Sequence, residues 1–128
     1  MLFRSVSAGR VRRAWLGVIG QEISPGLARA LQLPTEKGLL VAQVSRGSAA
    51  QLAGIQPGTE LGYWGNQQVV IGGDLIVGID GAEINTNNDL TRLLARKRPG
   101  DSVKVTLYRD GRRMTLDVTL KERPDTGA

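Results

Sequence analysis

The segment Arg13-Ala14-Trp15-Leu16-Gly17-Val18-Ile19 offers chemistry through its backbone rather than its side chains. A glycine set between large apolar residues, just ahead of a β-prone run, lets N–H groups turn outward, and such a turn holds a carboxylate. Side-chain catalysis has far less to work with. The chain has no histidine and no cysteine, which excludes a Ser-His-Asp triad, a histidine general base, a thiolate nucleophile and any histidine- or thiolate-based metal site. Asp74, Asp80, Glu83 and Asp89 are spread over a predicted strand, a turn and a helix start, so neither a close carboxylate pair nor calcium-loop spacing arises. Ser48, in Arg46-Gly47-Ser48-Ala49-Ala50, has no base to activate it and suits a helix cap instead. Gly17-Val18-Ile19-Gly20 and Gly72-Gly73 lack the spacing of phosphate-binding loops. No cofactor and no metal are expected.

Composition bounds the rest. At 128 residues, 41% hydrophobic and 23% charged, the chain fits one folded soluble domain. Its net charge of +5 is distributed: Arg4, Arg10, Arg12 and Arg13 lie in the N-terminal segment, while Arg96-Lys97-Arg98, Arg109, Arg112, Arg113, Lys121 and Arg123 sit beside turns or on alternating strand positions. With few aromatics between them, these charges read as a solvated basic face rather than a nucleic-acid surface. The basic N-terminal stretch lacks the apolar run of a signal peptide, and nowhere do about 18 uninterrupted apolar residues occur. No targeting or membrane segment is expected within the chain.

The elements that must position the glycine turn follow from period and punctuation. A strand is predicted over 16–23, then Ser24-Pro25 opens a short helix to residue 31, with Leu27, Ala28, Leu31 and Ala30 toward the core. A strand over 39–44 precedes a helix over 49–53, capped by Ser48 and ended by Gly54. Leu75-Ile76-Val77-Gly78-Ile79 reads as a buried strand, Asp80-Gly81 as a tight turn and 82–84 as a short strand. Thr86 or Asn87 caps a helix over roughly 88–96 whose Leu90, Leu93 and Leu94 form one apolar stripe. Alternating residues 103–108 and 114–120 form a closing hairpin about Asp110-Gly111. Residues 1–11 read as a linker, 12–122 as the domain, 59–73 as a hairpin-like insertion and 123–128 as a flexible tail. Tyr63 and Trp64 of the insertion suit either packing on the domain or docking on a neighbour. The fold class is α+β, mainly β: a small, capped, partly open β-barrel or sandwich of about five or six short strands with two or three short helices.

The glycine turn is followed in order by Gly38-Leu39-Leu40-Val41, Gly54-Ile55-Gln56-Pro57-Gly58 and Gly73-Asp74-Leu75-Ile76-Val77-Gly78-Ile79-Asp80-Gly81. This ordered set resembles a PDZ domain of the HtrA (Deg) serine protease family over roughly residues 12–122, interrupted by the insertion at 59–73. The resemblance implies the PDZ architecture and binding of C-terminal or exposed unfolded polypeptide segments by strand addition along Val18-Ile19-Gly20-Gln21-Glu22. It implies that the N–H groups of Leu16, Gly17 and Val18 meet the terminal carboxylate and that Leu16, Val18, Leu90, Leu93 and Leu94 wall a pocket for the last side chain. Arg13 adds a cation nearby, and Asn87, Asn88 or Asp89 could bond a ligand side chain or simply cap the helix. It further implies a trypsin-like protease domain elsewhere in a parent chain, trimerisation through that domain, and a periplasmic or otherwise extracytoplasmic bacterial setting. The competing reading is a non-catalytic scaffold or oligomer-contact module without a free peptide ligand. On either reading the chain by itself is not an enzyme. Rigorously purified protein should leave unfolded casein intact, and steady cleavage abolished by a point change within the chain would overturn this.

Overall fold

A computed structural model describes residues 13–123; the expected linker at 1–11 and all but Arg123 of the expected tail lie outside the described residues. The strands are β1 (Ala14–Trp15), β2 (Val18–Glu22), β3 (Leu39–Val44), β4 (Glu60–Trp64), β5 (Gln67–Ile71), β6 (Leu75–Ile79), β7 (Ala82–Glu83), β8 (Ser102–Arg109), β9 (Arg112–Thr119) and β10 (Lys121–Glu122). The helices are α1 (Pro25–Ala30), α2 (Ala49–Ala53) and α3 (Asn87–Ala95). Five strands form a path β2-β3-β6-β8-β9 with β7 added on β6, every pairing antiparallel, and β1-β10 and β4-β5 form separate two-stranded pairs. The sheets are open, as the mainly β, α+β reading expected. The strand total exceeds the predicted range because two-residue bridges such as β1 and β10 have too little length to show a period.

Alternation along the central strands builds a core on both faces of the sheet. Leu39 and Val41 of β3 join Ile76, Ile79, Val105, Leu107 and Val118 in the main cluster, while Leu40 and Leu75 point the other way, onto Leu27 and Val69. This explains why β3 reads as a continuous apolar run. Ser24 and Ser48 cap α1 and α2 by accepting from the N–H groups of Leu27 and Gln51, and Gly54 ends α2 in the left-handed region. Leu27 and Ala28 are buried as expected and Leu31 packs at the edge of the second cluster, but Ala30 faces solvent.

Three outcomes correct the reading from sequence. The strand expected over 16–23 shortens to β2, starting only at Val18, because Gly17 takes a φ of +90°, and β1 lies ahead of that break. The third helix starts at Asn87, not 88, with Thr86 as its cap. Arg109, expected on a solvated face, turns inward: its Nε and Nη2 donate to the two carboxylate oxygens of Asp74 at 2.9 and 2.6 Å, and Nη2 also donates to the Gly54 carbonyl at 2.8 Å. The Asp74 side chain is 2% exposed, and its carboxylate also accepts from the Gln56 N–H at 2.9 Å. The hydrogen bond to Asp74 holds the Arg109 guanidinium above its ordinary pKa.

The segment 59–73 is a hairpin, β4-β5, whose connection to the body is specific. The Gln21 carboxamide on β2 accepts from the Val70 N–H at 2.8 Å and donates to the Val70 carbonyl at 2.7 Å, so a side chain substitutes for a neighbouring strand. The Trp64 ring lies over Gly26 of α1, while Leu61 and Tyr63 stay exposed.

Asp74→Ala is expected to lower unfolding free energy by about 3 kcal/mol, the scale for leaving one member of a buried ion pair unpartnered. Asp117→Ala, which breaks an exposed pair with Lys104, should leave the midpoint nearly unchanged. Urea unfolding of both variants checks the contrast.

Candidate functional site

A cleft of about 400 Å³ lies between α3 and the segment 13–18, which runs from the start of β1 through the Gly17 turn to the first residue of β2. Leu16, Val18, Leu90 and Leu94 give it apolar lining, with Asn87, Thr91 and Ala95 along the helix. Four further residues, Arg13, Trp15, Lys97 and Arg123, make its lining basic and aromatic where β1 and β10 approach α3.

The peptide planes at Gly17 are set by two inward hydrogen bonds. The Ala50 N–H of α2 donates to the Leu16 carbonyl at 2.9 Å, and the Ser45 N–H donates to the Gly17 carbonyl at 2.8 Å. In a planar trans peptide the N–H points opposite to the preceding C=O. With both carbonyls directed into the body, the N–H groups of Gly17 and Val18 are therefore directed out of it, along the cleft-lining segment. A side chain at Gly17 forces a rearrangement: a Cβ at this position would lie 2.1 Å from the Ser48 Cβ and 2.6 Å from its hydroxyl. Ser48 is fully buried and holds its place by capping α2.

The charges near the cleft are not equivalent. Lys97 Nζ donates to Asp80 at 3.0 Å. The Lys104 N–H, donating at 2.7 Å, and then Lys97 hold the Asp80 carboxyl below its ordinary value. Arg13 and Arg123 are placed side by side by the β1-β10 pair, where the Arg123 N–H donates to the Arg13 carbonyl at 3.0 Å.

The start of α3 is held by a capping box. Thr86 accepts from the Asp89 N–H at 3.0 Å, and the Asp89 carboxylate accepts from the N–H groups of Asn85 and Thr86. Those bonds, led by Asn85 and helped by Arg92, keep the Asp89 carboxyl below its ordinary range. Asn87 is left to reach across the cleft, and its Nδ2 donates to the Gly20 carbonyl at 3.0 Å.

Of the residues singled out from sequence, Arg13, Leu16, Gly17, Val18, Leu90 and Leu94 come together in the cleft lining. Ile19 points its side chain to solvent, 55% exposed, and Gly20 takes part through its backbone. Leu93 packs against the main core and does not line the cleft. Sequence reasoning missed Arg123, Trp15, Thr91, Ala95 and Lys97 as lining residues. Arg123 lay in what read as tail, and only a two-residue bridge carries it back to Arg13. Thr91 and Ala95, by contrast, follow Asn87 at helical spacing and were discoverable.

Residues 17–120 match the PDZ domain family. A protein described as a probable periplasmic serine endoprotease DegP-like from Hahella chejuensis is 36% identical over 116 residues, covering 91% of this chain and 22% of that protein. One of the same description from Pseudomonas putida (strain W619) is 34% identical over 120 residues, covering 94% and 22%. This chain thus spans about a fifth of the length of the curated relatives it matches. Among solved structures, the HtrA-type protease AlgW with decapeptide is 30% identical with a TM-score of 0.69, covering 91% of this chain and 31% of that one. The HtrA3 PDZ domain bound to a phage-derived ligand, FGRWV, is similar in fold at 18% identity and a TM-score of 0.65, covering 88% and 89%.

Gly17→Ala should cost about 3 kcal/mol of stability, combining a left-handed backbone strain of about 1–3 kcal/mol with overpacking of similar size. In a Ser48→Gly background, which removes the atom a Cβ would strike, the same change should cost about 1–2 kcal/mol. A double-mutant cycle by denaturant unfolding measures the difference.

Proposed function

The chain belongs to the PDZ domain family, and on that premise we propose that it binds the free C-termini of extended polypeptides as an added strand between β2 and α3. The observation that carries this reading is the pair of inward hydrogen bonds from Ala50 and Ser45, which turns the Gly17 and Val18 N–H groups toward the cleft. Donors fixed in this way suit a carboxylate, whose charge strengthens each bond. On this reading Leu16, Gly17 and Val18 meet the terminus, Leu90 and Leu94 take the last side chain, and Arg13 with Arg123 adds cationic attraction. The ligand's backbone runs beside Val18, Ile19 and Gly20, with the polar groups of Val18 and Gly20 facing it.

The wider role follows by the same proposal. The chain is the recognition part of a longer HtrA-like serine endopeptidase that works outside the cytoplasm, and binding of an exposed terminus is passed to a separate protease domain. The names of the relatives support this. A second reading, an assembly module, draws on Leu61 and Tyr63 of the β4-β5 hairpin, 59% and 72% exposed.

Peptide titration by fluorescence tests the choice. Replacing the free terminus of an apolar-ended peptide with an amide should remove about 1.5–3 kcal/mol, or roughly tenfold or more in affinity. Leu94→Glu should abolish binding while leaving the fold intact, and Arg13→Ala should weaken only the free-acid peptide, and by less. Equal binding of acid and amide across salt concentrations would exclude the carboxylate mode; self-association without peptide binding would favour the assembly module.

A further inference from the structure

The hydrogen bond from Asn87 to Gly20 spans the cleft where a ligand strand has to run, and it joins residues 67 positions apart. Backbone polar groups alternate sides along a strand. The Gly17 carbonyl faces the β3 side, where it accepts from Ser45, so the N–H and C=O of Val18 face the cleft, those of Ile19 face β3, and those of Gly20 face the cleft again. Asn87 meets the Gly20 carbonyl there, at 3.0 Å.

An antiparallel ligand with its carboxylate at the Gly17 and Val18 N–H groups sets its last residue opposite Val18. By the same alternation its third residue from the end falls opposite Gly20. The acceptor facing the N–H of that residue is the Gly20 carbonyl; its oxygen has two lone pairs, but Asn87 Nδ2 already approaches it from the α3 side, the side from which the ligand N–H has to come. The Gly20 backbone lies directly on the core that β2 shares with α3: a Cβ at Gly20 would lie 2.3 Å from Leu39 Cγ. Nor is the Asn87 side chain required to start the helix, since Thr86 and Asp89 complete the capping box without it.

We propose that Asn87 is a latch that competes with the ligand for the Gly20 carbonyl, so that the cleft reads the last two residues of a terminus before anything upstream contributes. The inference rests on the strand-addition reading above. Displacing Asn87 exchanges one exposed neutral hydrogen bond for another, so the N–H of the third residue adds little to affinity while the latch is present.

The test uses the whole chain, its Asn87→Ala variant and two free-acid hexapeptides with the same apolar end. One is all amide; in the other the amide of the third residue from the end is replaced by an ester, which deletes that N–H without adding bulk. The unmodified protein should bind both nearly equally. Asn87→Ala should bind the amide peptide two- to tenfold more tightly than the unmodified protein does, and should prefer it over the ester by a similar factor, the scale of one net hydrogen bond. Asn87→Asp, which keeps the size but cannot donate, should act in the same direction if Asn87→Ala loosens α3. Weaker or unchanged binding of the amide peptide by both folded variants would overturn the latch and leave the strand-addition reading intact. If neither peptide binds any of the proteins, strand addition fails and the latch fails with it.

Discussion

The backbone of Gly17 lies against the side chain of Ser48 with no space for a Cβ, and the geometry of the cleft depends on that contact. Ser48 is where it is because its hydroxyl caps α2. The cap exposes the Ala50 N–H toward Leu16, and the loop before it presents the Ser45 N–H to Gly17. One short helix and the loop that enters it therefore orient two consecutive peptide planes of a distant strand break. Helix capping, the left-handed glycine and the outward N–H groups are a single arrangement; a side chain at Gly17 disturbs all three together.

The rest of the fold holds β2 and α3 at a fixed separation. Two hydrophobic clusters share the sheet, so strands β3 and β6 are buried on both faces and cannot slide. Asp74 and Arg109 tie the start of β6 to the end of β8 and to the Gly54 carbonyl that closes α2. An ion pair this buried costs desolvation, which the bidentate geometry and the additional Gln56 N–H offset. The β4-β5 hairpin adds a third attachment, through Gln21, to the strand that borders the cleft. Its outer face, with Leu61 and Tyr63, stays outside the hydrophobic clusters.

Much of this was legible along the chain because the signals are short-range. Ser24, Ser48 and Thr86 each precede a helix by one residue and bond three residues ahead. Asp80-Gly81 and Asp110-Gly111 place both residues of each turn at positive φ, the conformation a tight hairpin demands. The glycine turn and two leucines of the α3 stripe, Leu90 and Leu94, placed the apolar part of the cleft within the reach of sequence alone. What escaped were partners far apart in sequence. Arg109 and Asp74 are separated by 35 positions, Val70 and Gln21 by 49, and Asn87 and Gly20 by 67. None belongs to a repeat or period that sequence alone displays.

The sequence by itself determined which functions are out of reach, because chemistry without histidine or cysteine is limited by residue type alone. It also determined the helix starts, the turns and the alternating hairpin, since those are settled by residues within a few positions of one another. Tertiary structure decided which way polar groups point. Whether Arg109 faces water or Asp74, whether Leu93 or Arg123 lines the cleft, and whether the Gly20 carbonyl is open or taken by Asn87 are matters of packing between distant elements. A side chain's direction is fixed by what the rest of the chain places beside it, and that neighbour exists only once the chain has folded.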